Sequence, residues 1–166
     1  IEERCFAMKI LVTGGAGFIG SHVCDALLKR DDGVICIDDF NDYYSPLRKE
    51  SNISKAMLNK NFKLYRADIR NYSLMEDIFE KELPDKVIHM AARAGVRASI
   101  KNPLLYEEVN IKGTLNMLEL SKKFKISNFV FASSSSVYGS NKKLPFSEND
   151  VLDNIISPYA ATKVMG

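Results

Sequence analysis

The feature that most constrains this chain is an apolar run that ends on spaced glycines. Lys9–Thr13 reads K-I-L-V-T and passes directly into Gly14-Gly15-Ala16-Gly17-Phe18-Ile19-Gly20. A short apolar run of that kind reads as a buried strand. Residues 18–29 then show a helical pattern, with Ile19, Val23, Ala26 and Leu27 expected on its buried face. Each glycine has a task in a strand–turn–helix. Gly14 permits the tight turn, Gly17 lets a pyrophosphate approach the backbone, and Gly20 lets the helix lie close to the strand. A helix start also offers unpaired amides and a positive dipole end to an anion. Gly14, Gly17, Phe18, Ile19 and Gly20 are therefore the candidate phosphate-binding turn of a dinucleotide site.

The rest of the chain repeats the alternation. Apolar or alternating runs at residues 34–38, 62–66, 86–89 and 128–132 read as strands. Helical stretches stand between them: one after Pro46, one capped by Ser73 with Glu76 as its capping-box partner, and a long one over residues 103–124 carrying Leu115, Leu118 and Leu120. A loop of about 25 residues leads to Pro158, and a further helix starts at Tyr159. Apolar strands alternating with helices predict an α/β fold, a doubly wound parallel sheet of Rossmann type.

Two acids follow strands. Asp38 ends the second strand, 18 residues after Gly20. A carboxylate there can accept from both adenosine ribose hydroxyls and repels a 2′-phosphate, which favours NAD over NADP. Asp68 follows the third strand, where it could meet an adenine amino group while Ile69 packs on the ring.

Tyr159 and Lys163 stand four apart at a helix start and share one face. An ammonium near a phenol favours the phenolate, so the tyrosine becomes a usable base although its ordinary pKa is about 10. Ser133 or Ser134, after the fifth strand, could hold a substrate hydroxyl against it.

T-G-G-A-G-F-I-G at 13–20, Asp38, Ala91-Ala92, Asn110, S-S-S-S-V-Y-G at 133–139 and Ser157-Pro158-Tyr159-Ala160-Ala161-Thr162-Lys163 together resemble an extended short-chain dehydrogenase acting on nucleotide sugars. The stretches Asp39-Phe40-Asn41-Asp42-Tyr43-Tyr44 and Ala94-Gly95-Val96-Arg97, with Asn102-Pro103, are similar to UDP-glucuronate 4-epimerases. The resemblance implies Ser134 as catalytic hydroxyl, Tyr159 as base and Lys163 as its partner, with Lys163 also on the nicotinamide ribose. It implies Ala91 and Ala92 in the cofactor groove and Asn110 as a structural polar residue. Arg93, Arg97, Ser134, Ser135 and Tyr159 become candidate substrate contacts.

Within that family the reaction turns on the residues after the catalytic hydroxyl. Dehydratases carry Asp-Glu there, and UDP-glucuronate decarboxylases carry Glu in the second position. Here the two positions are Ser135 and Ser136, which cannot act as carboxylic acids. The resemblance therefore implies NAD-dependent C4 epimerisation of a UDP-sugar such as UDP-glucuronate. The alternatives are a nucleotide-sugar 4,6-dehydratase or decarboxylase, or a non-catalytic NAD-binding module; an NADPH reductase is opposed by Asp38.

Composition sets further expectations. The net charge is +2, too small to argue for nucleic acid or an anionic membrane as partner. No run approaches the roughly 18 apolar residues that span a bilayer. Cys5, Cys24 and Cys36 lack metal-ligand spacing, so no metal is expected, and reduced thiols fit the cytoplasm. Residues 1–7 read as an extension and 8–166 as the NAD-binding domain, truncated before the substrate-binding region the family carries. Taken alone, such a chain is expected to turn over little. A homodimer of the full-length protein would use residues 105–120 and the helix after Tyr159.

Overall fold

A computed structural model describes residues 7–166. Residues 1–6, including Cys5 and most of the expected extension, lie outside the described residues. Five parallel strands form one sheet: β1 (Lys9–Thr13), β2 (Gly33–Asp38), β3 (Phe62–Arg66), β4 (Lys86–His89) and β5 (Phe129–Phe131), in the order β3-β2-β1-β4-β5. Successive strands β1 to β3 run outward to one side, and β4 and β5 run outward to the other. The strand order therefore reverses between β1 and β4, which opens a crevice at their carboxyl ends.

Helices cover both faces: α1 (Phe18–Leu28), α2 (Pro46–Ile53), α3 (Tyr72–Glu82), α4 (Val96–Lys101), α5 (Pro103–Tyr106), α6 (Gly113–Lys123) and α7 (Pro158–Val164). The pleat divides the core. Leu11, Ile35, Ile37 and Val87 face Ile78, Phe79, Met117 and Leu120, while Ile10, Val12, Val34 and Cys36 face Cys24, Leu27 and Leu28. Two-sided burial explains why β1 and β2 read as continuous apolar runs.

Four expectations need correction. The buried face of α1 is Gly20, Ser21, Cys24, Leu27 and Leu28, whereas Ile19 is exposed. The expected face is rotated because Gly20 packs against the backbone of the turn at Gly14 and Gly15. Helix α3 is capped by Asn71, whose side chain accepts from the Leu74 amide at 3.1 Å, and Ser73 lies inside the helix. The helix therefore starts two residues earlier than expected, and the Asn71 oxygen satisfies the Leu74 amide of its first turn. The long helix is not uniform: Glu107–Lys112 is π-helical between α5 and α6, and α4 precedes it unforeseen. Of its leucines, Leu120 is buried while Leu115 and Leu118 are exposed. The loop before α7 contains a 3₁₀ turn at Ser135–Tyr138.

Candidate active site

The glycine turn is shaped by close backbone approach. Gly14 has φ +66°, and a Cβ there would fall 2.8 Å from the Ala91 backbone. A Cβ on Gly20 would fall 2.1 Å from the Gly14 carbonyl oxygen. Only glycine lets β1, α1 and the segment after β4 meet this closely. Helix α1 starts without a side-chain cap and without an acid in its first turn, which suits an anion.

A cleft of about 110 Å³ opens beside this turn, at the crevice between β1 and β4. Gly14, Gly17, Asp38, Asp68, Ile69, Ala91, Ala92 and Arg93 line it, so most of the expected cofactor residues converge. Phe18 and Ile19 do not line it, and their side chains are exposed. Gly20 contributes by packing. Arg97 is exposed on α4 and also stands apart from the cleft lining.

Asp38 is already well bonded. Its carboxylate accepts from the Ala16 amide (3.1 Å), the Phe40 amide (2.9 Å) and the Lys49 ammonium (3.0 Å). A carboxylate has about four acceptor positions, and three of those on Asp38 are already used. Asp68 is gripped by the Arg70 guanidinium at 2.6 to 3.1 Å, and Arg70 also reaches Glu108. Burial pulls the Asp68 carboxyl up, but the bonds from Arg70 outweigh it and hold it below the usual carboxylate range.

Ser134, Tyr159 and Lys163, expected as the catalytic residues, do not line this cleft. Ser134 caps the 3₁₀ turn, its hydroxyl oxygen accepting from the Ser136 amide at 3.2 Å, which leaves its proton to be donated elsewhere. Ser135 is exposed. Tyr159 packs edge-on against the Tyr106 ring at 6.3 Å. Lys163 is buried, lies 4.7 Å from the Phe131 ring centroid and donates to the Ala132 carbonyl at 2.7 Å. Burial holds its ammonium down, to about 8.

His89 and Thr114 help organise the site without any sequence signal, whereas Asn110 and Tyr43 stand in the motifs quoted above. His89 bonds Thr13 through Nδ1 (2.7 Å) and Thr114 through Nε2 (2.9 Å). Thr114 donates to the Asn110 carbonyl, so it accepts from Nε2–H; Thr13 accepts from the Ala91 amide and donates to Nδ1. The ring is therefore a neutral Nε2–H imidazole, and burial with the Lys163 charge pushes its pKa down to about 3. Asn110 accepts from the Arg93 amide (2.7 Å) and donates to the Arg93 carbonyl (2.9 Å) and Thr162 (3.0 Å). It thus ties the cleft wall to the helix carrying Tyr159. Tyr43, from the loop after β2, donates to the Ala94 carbonyl at 2.8 Å, and Tyr106 bonds the same oxygen.

The fold and the site define a class: a Rossmann-type nucleotide-binding domain of the short-chain dehydrogenase kind, with its tyrosine and lysine on one helix. The sequence matches the family described as GDP-mannose 4,6 dehydratase over residues 11–166, and the chain belongs to that family. It is 48% identical over 156 residues to Protein CapI of Staphylococcus aureus, covering 94% of this chain and 46% of that protein. It is 47% identical over 153 residues to the UDP-glucuronate 4-epimerase of Thermodesulfobacterium geofontis, covering 92% and 47%. Among solved structures, the UDP-glucuronic acid 4-epimerase from Bacillus cereus, in complex with UDP-glucuronic acid and NAD, is similar with a TM-score of 0.87 at 42% identity, over 95% of this chain and 49% of that one. The chain spans about half the length of the curated relatives it matches.

Among the described residues no cluster of three or more His, Cys, Asp or Glu could hold a metal ion, and no helix is long and apolar enough to cross a membrane.

Proposed function

We propose that residues 8–166 bind NAD and supply the redox residues for C4 epimerisation of a UDP-hexuronate, interconverting UDP-glucuronate and UDP-galacturonate. The carrying observation is the buried Lys163, four residues after Tyr159, anchored on Ala132 where β5 ends and the Ser134 turn begins. The names of the similar proteins support the same reading.

The residues fit NAD: the uncapped helix start and glycine turn suit its pyrophosphate, and Asp38 keeps one acceptor position for a ribose hydroxyl while repelling a 2′-phosphate. When bound, NAD supplies the hydride acceptor and donor. Tyr159, as phenolate, takes the proton of the sugar 4-hydroxyl. Lys163, still charged at pH 7, favours that phenolate. Ser134 donates to the 4-oxygen, held in aim by the Ser136 amide. Once the 4-keto sugar has turned to present its other face, Tyr159 would give the proton back to the 4-oxygen. Ser135 and Ser136 offer no carboxylic acid for elimination, which favours epimerisation over dehydration or decarboxylation.

The exposed Leu115 and Leu118 support the homodimer expected through α6. The buried free thiols Cys24 and Cys36 support a cytoplasmic setting. Proton NMR of UDP-glucuronate incubated with the full-length protein containing this chain tests the reaction. UDP-galacturonate is expected; UDP-xylose or a 4-keto-6-deoxy sugar contradicts the proposal.

A further inference from the structure

The Tyr44 side chain has a buried hydroxyl with no hydrogen-bond partner among the described residues. Such a group costs stability unless something else uses it. It is aimed at a particular place. Tyr44 lines the cleft, and its hydroxyl oxygen lies 3.6 Å from where a Cβ on Gly17 would stand. Gly17 is the residue at which α1 begins, with no side-chain cap.

The ring is held rather than loose. The Lys49 ammonium lies 5.6 Å from its centroid, and Tyr43 meets it edge-on at 6.4 Å. Lys49 is itself buried and bonded to Asp38. Tyr43 is pinned by its bond to the Ala94 carbonyl across the cleft. So the loop after β2 presents a fixed, unsatisfied O–H over the glycine turn.

We propose that the Tyr44 hydroxyl is a binding residue of the dinucleotide site, donating a hydrogen bond to a pyrophosphate oxygen held over Gly17. This rests on the dinucleotide reading above. The phosphate would sit between two sets of donors, the α1 amides on one side and the Tyr44 hydroxyl on the other. The acceptor is charged, so the bond belongs to the stronger kind. The orphaned hydroxyl is then a stability cost of the unliganded chain that ligand binding offsets.

The test is Tyr44→Phe, which keeps the ring and removes only the hydroxyl. Binding of NAD, ADP-ribose and adenosine is measured by calorimetry, with melting temperatures taken without ligand. The expected result is a melting temperature equal to or above that of the unsubstituted chain. The dissociation constants for NAD and ADP-ribose rise together by about tenfold, and that for adenosine is unchanged. A NAD affinity within about twofold of the unsubstituted chain overturns the role of Tyr44 but leaves the dinucleotide reading standing. An equal loss for adenosine overturns it too, since the contact would then be to the nucleoside. A lowered melting temperature without ligand shows that the hydroxyl already had a structural partner, and also overturns it. If the unsubstituted chain binds neither NAD nor ADP-ribose, the dinucleotide reading fails and the Tyr44 proposal falls with it.

Discussion

The Lys163 ammonium donates to the Ala132 carbonyl at 2.7 Å, tying α7 to the end of β5. The bond fixes the position of the Lys163 charge inside a buried setting that disfavours the charge itself.

That tension is measurable. Burial lowers the folded-state pKa of Lys163 to about 8, against 10.5 ordinarily. Between those values the unfolded chain holds the proton and the folded chain has released it. The unfolded state therefore binds more protons, and stability rises with pH across that window. The expected contribution is up to about 1.4 kcal/mol per pH unit. Lys163→Met should remove this slope from urea midpoints measured between pH 8 and 10. An unchanged slope would show that Lys163 is not the group responsible.

His89 acts in the acid range. Its folded pKa is about 3 against 6.5 ordinarily, first because it is buried and then because of Lys163. The unfolded chain binds the extra proton as pH falls below 6.5, so stability is lost from there down towards pH 3. The loss due to His89 between pH 7 and 5 should be about 2 kcal/mol. His89→Gln should be less stable at pH 7.5, through disturbed bonds to Thr13 and Thr114, yet lose less on acidification to pH 5. Parallel acid profiles for the two proteins would refute this.

Lys49 and Asp38 form a buried pair at 3.0 Å, with side-chain exposures of 6% and 4%. Removing one partner strands the other. Lys49→Met should cost about 3–5 kcal/mol in chemical denaturation. Adding Asp38→Asn to it should recover part of that loss, because no charge is then left buried. Additive losses in the double-mutant cycle would mean that the two groups are not coupled.

The sequence was a good guide wherever one physical signal dominated. Continuous apolar runs marked β1, β2 and β4 because both sheet faces are covered. The glycine spacing at 14, 17 and 20 marked the turn because only close backbone approach requires it. The motifs place Ala91, Ala92, Asp38 and Ile69 at the groove, and they line it. What could not be read were pairings between distant segments. Lys49 looks like one cation among several near Pro46, and its burial depends on how residues 39–45 fold back over Asp38. Arg70 looks like a surface charge until Asp68 is seen to grip it. His89 sits in an apolar run and gives no hint of the two threonines beside it. Leu115 and Leu118 misled, because helical periodicity shows a stripe and not which side of it the sheet takes. The π-helical segment was invisible for a related reason. It turns Asn110 towards Arg93 and Thr162, and no residue pattern announces that extra residue per turn.

The proposed dinucleotide site of Gly14, Gly17 and Asp38 should be specific for NAD. Fluorescence titration of the chain with NADH and NADPH tests it most directly. NADH should bind, and NADPH should bind at least about 100-fold more weakly, because its 2′-phosphate meets the buried Asp38 carboxylate. Equal or tighter binding of NADPH would contradict the account.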